Sequence, residues 1–336
     1  MSQLIQVIAS GLAIGSVYAL IALGIVLLYR TTTILNFAHG EFGLFGTFIA
    51  FILFNSLNLP YPLSFALSLL AAAILGGLVS LLLIKPAKTA FNIGLAILLT
   101  ALAYGLGLSL LLSAVIGVVI ALLSYAFLDQ PNRNPSELGL IILTLGVNLF
   151  LQGFYSLTFG TDNKILPSIV PNKSIHFGGA SISLGSIFTS LMGLLIMLLL
   201  WLLLNHSKIG LAMRALAQRE DVAKAMGIPV KMVSFATWAV SAVLAAAAAL
   251  LLAPSTLLSP AMLLEPVSKG FVAAVIGGMN SLPGAIVGGY ILGLLELFVG
   301  VYISNELKAS LAFIIVILVL ILKPHGLLGK PEIKRV

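Results

Sequence analysis

Long runs of apolar residues recur along this 336-residue chain and constrain its fold more than any other feature. A helix needs about 20 apolar residues to cross about 30 Å of hydrocarbon, because each residue adds about 1.5 Å. Runs of about that length or more lie at residues 4–29, 34–54, 62–84, 92–127, 138–159, 183–204, 230–253, 268–300 and 307–323. The pattern predicts an all-α, polytopic transmembrane helical bundle.

The composition supports a membrane protein and removes several other classes. Only 8% of the residues are charged and 60% are apolar, whereas soluble domains carry about 25% charged residues. The chain has no cysteine, which excludes disulfides, thiol catalysis and cysteine-ligated metals. The net charge of +7 is explained by basic cytoplasmic loops, so we expect a lipid membrane and no nucleic acid as a partner. No metal site, catalytic site or cofactor bound by this chain is predicted.

Charge placement predicts which segments lie in the cytoplasm. Basic residues gather in the loop 205–231 and again in the C-terminal tail, and cytoplasmic loops collect such residues. The segment 268–300 must then begin and end outside, through an even number of crossings or a re-entrant loop. Glycine and proline within Gly277–Gly284 predict the break. With 92–127 also too long for one crossing, we expect about 8–11 membrane segments, including broken or re-entrant helices.

The polar stretch 208–229 stands apart from this hydrocarbon-compatible chain and predicts a water-exposed amphipathic helix. Its apolar positions recur at helical spacing and comprise Ile209, Met213, Leu216, Ala223 and Met226. Glu220 and Lys224 form a favourable i, i+4 pair, and Gly227 followed by Pro229 ends the helix. Such a helix could dock a cytoplasmic partner or rest on lipid headgroups. The sequence predicts one transmembrane domain over 1–336, with 205–229 and the tail 324–336 in the cytoplasm.

Ionisable residues inside a span are costly and therefore candidates for function. His39 and Glu41 are the clearest, with Asn36 one turn before Gly40 on the predicted helix. These groups could line a translocation path, or form a buried network that only fixes helix packing. The same two readings are open for Asn148 and Gln152, four residues apart on one helix.

Two further charges lie near predicted span ends. We expect the Lys269 side chain to extend outward to water and Glu296 to occupy an interfacial position.

Several motifs resemble one family of permeases. They are the sequence from Leu35 to Glu41, Leu143–Gly146 with Leu151–Gly153, Ala274–Gly278 through Ala285, and Lys323–Gly329. The 208–229 stretch is similar to the coupling-helix region of ABC importers. Together they resemble the LivH-type permease of branched-chain amino acid transporters over nearly the whole chain. Between about 85 and 135 the chain looks longer than that family usually is.

The resemblance implies a fold, partners and site residues. The chain would be one permease beside a second, LivM-like permease or a copy of itself, two ABC ATPase subunits and an external substrate-binding protein. The membrane would be the bacterial or archaeal cytoplasmic (inner) membrane. The implied ATPase-coupling residues are Leu211, Arg214, Ala215, Ala217, Arg219, Glu220, Asp221, Ala225 and Gly227. The implied substrate path comprises Asn36, His39, Gly40, Glu41, Asn148, Gln152, Gly277 and Gly278.

The resemblance also implies that this subunit is not an enzyme. The chain has no phosphate-binding G-x-x-x-x-G-K-[ST] sequence, so ATP-Mg is expected on the partner subunits. Branched-chain amino acids are the implied cargo, and urea or short amides are the alternative within the family. A self-sufficient secondary carrier or channel is a further alternative, although a carrier would usually place carboxylates deep within its spans.

Overall fold

The computed structural model describes residues 2–84, 137–171, 173–177 and 179–329. The predicted segment 92–127 and the last residues of the predicted tail, from 330 onward, lie outside the described residues. The helices are α1 (Ser2–Thr32), α2 (His39–Asn55), α3 (Tyr61–Ile84), α4 (Glu137–Phe159), α5 (Leu184–His206), α6 (Lys208–Gln218), α7 (Glu220–Ala225), α8 (Val230–Leu252), α9 (Leu264–Gly277), α10 (Leu282–Tyr302) and α11 (Leu307–Leu322). A 3₁₀ turn, Ala253–Ser255, follows α8, and strands β1 (Ser174–Phe177) and β2 (Ala180–Ser183) form an antiparallel hairpin.

The predicted all-α membrane bundle is confirmed. Six described helices, α1, α3, α4, α5, α8 and α10, are long and apolar enough to cross a membrane. Three further apolar helices, α2, α9 and α11, have 17, 14 and 16 residues and are shorter than a standard span. Short helices of this kind match the expectation of broken or re-entrant segments.

The bundle is centred on α1 and α8. Most of α1 is buried on every side from Val17 to Leu28, and the alanine run Ala245–Ala249 of α8 is buried in the same way. A helix that is apolar all round belongs in the interior of a large bundle. Helices α5, α9 and α10 pack around α1, and α2 and α3 pack against α8.

Glycines allow α1 and α10 to approach closely, as small residues commonly do between membrane helices. A β-carbon at Gly293 would lie 2.5 Å from the Cα atom of Gly15, so neither backbone leaves room for a side chain. Gly11 faces Leu294 while Gly15 faces Tyr290, so the contact runs antiparallel. The last turn of α1 and the first turn of α10 therefore lie at the same end of the bundle.

The predicted break within 268–300 is confirmed. Helix α9 ends at Gly277, and α10 begins at Leu282, where the Ser281 hydroxyl accepts a hydrogen bond from the Gly284 N–H (3.1 Å). The break is covered by the chain after α11, whose Leu327 N–H donates to the Ile276 carbonyl at 2.8 Å. Residues 324–329 of the predicted tail are thus packed on the bundle.

The two ends of the bundle differ in what they carry. The end of α1, the end of α5, helix α6 and the start of α10 line one cavity, and the break and residues 324–325 lie at the same end. We call this the α6 end. The β1–β2 hairpin contacts α1 near its first residues and marks the opposite end, called the hairpin end. The basic loop 205–231 and the described part of the tail therefore share one end, which agrees with the predicted topology.

Candidate translocation and coupling sites

Helix α2 begins inside the bundle rather than at its surface. The chain leaves α1 at Thr32, turns back through residues 33–38, and starts α2 at His39, which is fully buried. The His39 Nδ1 atom lies 3.3 Å from the Ser241 hydroxyl, half-way along α8, and that hydroxyl donates to the Gly24 carbonyl at 3.0 Å. Gly24 is eight residues before the end of α1, so α2 begins about 12 Å inside the α6 end.

The expectation that Asn36 lies on the same helix, one turn before Gly40, is wrong. Asn36 precedes the helix, and its side-chain oxygen accepts a hydrogen bond from the Ala38 N–H at 2.9 Å. An asparagine side chain that bonds the backbone two residues on replaces the helical bond with a turn. Within α2, His39 and Glu41 are two residues apart and so point to opposite sides of the helix.

Helix α4 holds this turn with three polar side chains on one face. Thr144 accepts a hydrogen bond from the Phe37 N–H (3.3 Å), and Asn148 donates to the Phe37 carbonyl (3.1 Å). The Asn148 amide also lies 3.5 Å from Glu41 Oε1, and the Tyr155 hydroxyl donates to the Glu41 carbonyl at 2.8 Å. The structure thus brings Asn148 to Glu41 and to the turn that Asn36 forms. We call Asn36, Glu41 and Asn148 the central polar cluster.

The central polar cluster has unused hydrogen-bonding capacity. Asn36 Nδ2 and Glu41 Oε2 are buried and have no hydrogen-bond partner among the described residues. Buried polar atoms nearly always have a partner, so each exception needs an explanation. The cluster also adjoins the first turn of α2, whose N–H groups favour an anion. A donor, an acceptor and a helix N-terminus are together suited to a small ligand that carries both charges.

The other predicted path residues lie around this cluster or apart from it. His39 faces α1 and α8, on the opposite side of α2 from Asn148, and Gly40 faces Val267 of α9. Gln152 is partly exposed one turn beyond Asn148 on α4. Gly277 and Gly278 are buried at the α6 end, against Gly284 and the chain after α11, and do not join the cluster. Their place in a substrate path stays a prediction.

The predicted single helix at 208–227 is wrong, because the stretch forms α6 and α7 with a break at Arg219. Arg219 is extended, with φ −157° and ψ 108°. The break places Glu220 and Asp221 in the first turn of α7, where carboxylates interact favourably with the helix dipole. The predicted end of the stretch at Gly227 and the ion pair are confirmed: Gly227 has φ +79°, and Lys224 lies 2.6 Å from Glu220. The hydrogen bond that the Lys224 ammonium donates to the Glu220 carboxylate raises the pKa of Lys224.

Only part of the predicted apolar stripe faces the bundle. Met213, Leu216 and Ala223 are buried, whereas Ile209 in the first turn of α6 and Met226 just after α7 are 53% and 78% exposed. Ala215 and Ala217 are partly exposed. The other predicted coupling residues are exposed: Leu211, Arg214, Arg219, Glu220, Asp221, Ala225 and Gly227. The side chains of Leu211, Val222 and Met226 add an apolar surface to this charged face.

A second group of buried charges, the ion cluster, lies between α1, α9, α10 and α11. Lys269 is buried and its Nζ atom lies 2.6 Å from Glu296 Oε1, so the expectation that it extends outward is wrong. Glu296 Oε2 accepts a hydrogen bond from the Tyr18 hydroxyl at 2.9 Å, and Lys308 lies 3.4 Å from Oε1. Glu265, exposed at the start of α9, is the second partner of Lys269.

Sequence reasoning missed this pairing, although a signal was available. Lys269 and Glu296 are opposite charges on the two arms of one predicted hairpin, eight residues before Gly277 and twelve after Gly284. Two arms that fold back on each other bring such positions close together. Tyr155 and Ser241 carried no comparable signal, since hydroxyl-bearing residues are common in membrane helices.

Known proteins similar to this chain are permeases. A family model described as the permease component of branched-chain amino acid transport systems matches residues 7–108 and 95–322. The high-affinity branched-chain amino acid transport permease LivH of Escherichia coli K12 is 32% identical, over 99% of this chain and 97% of its own. BraD of Pseudomonas aeruginosa, named for the same transport, is 32% identical, over 99% and 98%. The probable LivH of Methanocaldococcus jannaschii is 26% identical, over 96% and 92%. These relatives match nearly end to end, which gives no support to the expected extra length at 85–135.

Proposed function

Because the chain belongs to the family of branched-chain amino acid transport permeases, we propose that it translocates leucine, isoleucine and valine as one membrane-spanning subunit of an ATP-driven importer. It is a multi-pass membrane protein and a transport subunit. The observation that carries the proposal is a family match over almost the whole chain. A helix that starts inside the bundle beside unpaired polar atoms supports it.

The proposed substrate path passes the central polar cluster. In transporters, helices that begin inside the bilayer present their N-termini to anionic groups of the substrate. We assign the carboxylate of a passing amino acid to the first turn of α2 and the Asn36 amide, and the ammonium group to Glu41. The first turn of α2, Asn36 and Glu41 are closely packed in this structure, so a substrate reaches them only when α2 and α4 separate. Urea has no charged pair to satisfy both halves of the cluster.

The proposed partner surface is the exposed face of α6 and α7, defined by Leu211, Val222 and Met226 with the charged residues around Arg219. Apolar side chains exposed on a polar segment indicate a docking site for another protein. We assign this face to the ATPase subunits, which places the α6 end in the cytoplasm of a bacterial or archaeal cell. ATP-Mg then stays on those subunits, and an external binding protein delivers the ligand at the hairpin end.

The transport proposal is tested by purifying the tagged full chain with its associated subunits and placing the complex in liposomes with its binding protein. We expect uptake of labelled leucine to require ATP, supplied on the side of the membrane to which the α6 end faces. Unlabelled isoleucine and valine should compete, and urea should not. Competition by urea but not by valine would move the substrate to amides. Uptake by the chain alone, without ATP, would indicate a secondary carrier.

The docking surface is tested by the double substitution Val222→Asp with Met226→Asp. Docking would then bury two carboxylates in an apolar contact without partners, which is costly. We therefore expect ATPase recovery in pull-downs and ATP-dependent uptake each to fall at least about tenfold. The control for ATPase recovery is Leu257→Asp, an exposed leucine in the loop after α8. ATPase recovery equal to that of the unmodified chain would contradict the assignment of α6 and α7, while leaving the family assignment intact.

A further inference from the structure

An amphipathic groove at the α6 end is distinct from both the central polar cluster and the apolar docking surface. It has a volume of about 310 Å³ and lies between α1, α5, α6 and the start of α10. Its polar rim carries Arg30, Thr31, Asn205 and Arg214, and its walls are otherwise apolar. The Arg214 guanidinium donates to the Asn205 side-chain oxygen at 3.2 Å, which holds it at the rim.

The rim carries two positive charges and no counter-charge. Neither Arg30 nor Arg214 takes part in an ion pair anywhere in the described ranges. Arg30 is also only partly exposed, so water solvates it incompletely. A guanidinium group in this setting favours phosphate, which it can bind through two parallel hydrogen bonds.

The walls show that the ligand also has an apolar part. Leu27 and Leu23 lie about one and two turns before Arg30 on α1, and Leu200 and Met197 lie in a similar way before Asn205 on α5. Both helices run toward the α6 end, so the groove is apolar at depth and charged at its mouth. The apolar part extends about 10 Å along each helix.

The groove opens toward the bilayer. Trp201 lines it and is largely exposed, and its neighbours Leu198, Leu199 and Leu202 on α5 are also exposed. Tryptophan is enriched where membrane helices meet the lipid headgroups. A molecule that enters from the side of α5 would therefore place its polar group at the level of the two arginines.

We propose that this groove binds an anionic phospholipid, with the headgroup phosphate between Arg30 and Arg214 and one acyl chain along the apolar walls. Basic pockets between membrane helices near the cytoplasmic surface favour such lipids. The lipid contacts the last turn of α1 and the helix α6, and so connects the composition of the bilayer to the segment that faces the ATPases. This site does not depend on which substrate the permease carries.

The test is native mass spectrometry of the purified full chain, exchanged into detergent with phosphatidylglycerol or with phosphatidylcholine of the same acyl chains. We expect phosphatidylglycerol to be retained and phosphatidylcholine to be lost, with retention weakening as salt increases. Arg30→Gln and Arg214→Gln should each lower phosphatidylglycerol retention about fivefold. Arg219→Gln, which removes a charge at the same end but outside the groove, should leave it unchanged.

Three results would overturn the proposal. They are equal retention of both lipids, unchanged phosphatidylglycerol retention in the Arg30→Gln and Arg214→Gln double variant, and displacement of the lipid by an equal concentration of glycerol 3-phosphate. Displacement by glycerol 3-phosphate would mean that the groove binds an anion but not an acyl chain. If Arg30→Gln does not yield folded protein, Arg214→Gln decides alone, because Arg214 is exposed and its replacement leaves the packing of α1 untouched.

Discussion

Two buried glutamates in this bundle have nearly the same exposure and very different surroundings. Glu296 is 2% exposed and contacts two lysines and a tyrosine, so both of its oxygens are satisfied. Glu41 is 3% exposed, has one amide at 3.5 Å, and has no partner for its second oxygen among the described residues. A carboxylate whose partners are all present holds the structure together, whereas one with a vacant position is suited to a ligand. Burial alone would not have distinguished the two.

The largest expected effect comes from breaking the satisfied pair. Replacing Lys269 with methionine leaves Glu296 buried without its closest partner, and removing one member of a buried pair costs about 3–5 kcal/mol. We expect the free energy of unfolding, measured by denaturation in mixed micelles, to fall by about that amount. Uptake should fall only in proportion to the folded protein.

The controls for this prediction use the same ion cluster. Glu265→Gln removes the exposed partner of Lys269 and should change stability by no more than about 1 kcal/mol. Adding Glu296→Leu to Lys269→Met should restore much of the lost free energy of unfolding, since two apolar side chains then replace the buried ion pair. A Lys269→Met variant as stable as the parent would contradict the structural role of the cluster.

The second prediction concerns the unsatisfied carboxylate. Glu41→Gln keeps the shape of the side chain but removes the charge proposed to meet the substrate ammonium. A hydrogen bond to a charged group contributes about 1.5–3 kcal/mol, so we expect leucine uptake at low concentration to fall about 10- to 100-fold. Stability should be unchanged or higher, because a neutral amide is less costly to bury than a carboxylate.

Glu306→Gln is the matched control for that substitution. Glu306 is exposed in the turn before α11, where hydrogen bonds from Ser304 and from its own N–H keep its pKa below the usual value. Its replacement should leave uptake unchanged. If Glu41→Gln transports as well as the parent but unfolds more easily, Glu41 is a structural residue like Glu296. The contrast between the central polar cluster and the ion cluster would then disappear.

The smallest expected effect comes from Tyr155→Phe. This change removes the donor to the Glu41 carbonyl at 2.8 Å but leaves the ring packed against Phe48. Hydrogen bonds between membrane helices contribute about 1 kcal/mol or less, so we expect a slightly lower unfolding midpoint and a reduction in uptake of no more than about fivefold. Tyr302→Phe, at an exposed tyrosine of α10, should have no effect. A loss as large as that of Lys269→Met would make the α2–α4 contact a main support of the fold.

Local signals in the sequence predicted a large part of this structure. Apolar runs of membrane length gave the helical bundle, and glycine with proline gave the break between α9 and α10. Gly227 and the Glu220–Lys224 pair followed from rules that span only a few residues. Where two local preferences competed, the sequence prediction was wrong. Asn36 favoured a turn over the first turn of a span, and Glu220 with Asp221 favoured a helix start over the interior of one long helix.

The sequence by itself determined that this chain lies in a membrane, where its helices break, and which family it resembles, because these properties depend on neighbouring residues. Only the tertiary structure decided which polar groups are satisfied. Lys269 meets Glu296 because α9 and α10 fold back on each other, and Asn148 meets Glu41 because α4 packs on the turn before α2. Arg30 and Arg214 line one groove, with no counter-charge among the described residues that line it, because α6 returns to the end of α1. Each meeting joins residues far apart in the chain. Whether a buried charge is paired or open is therefore a property of the packing of helices and not of any one segment.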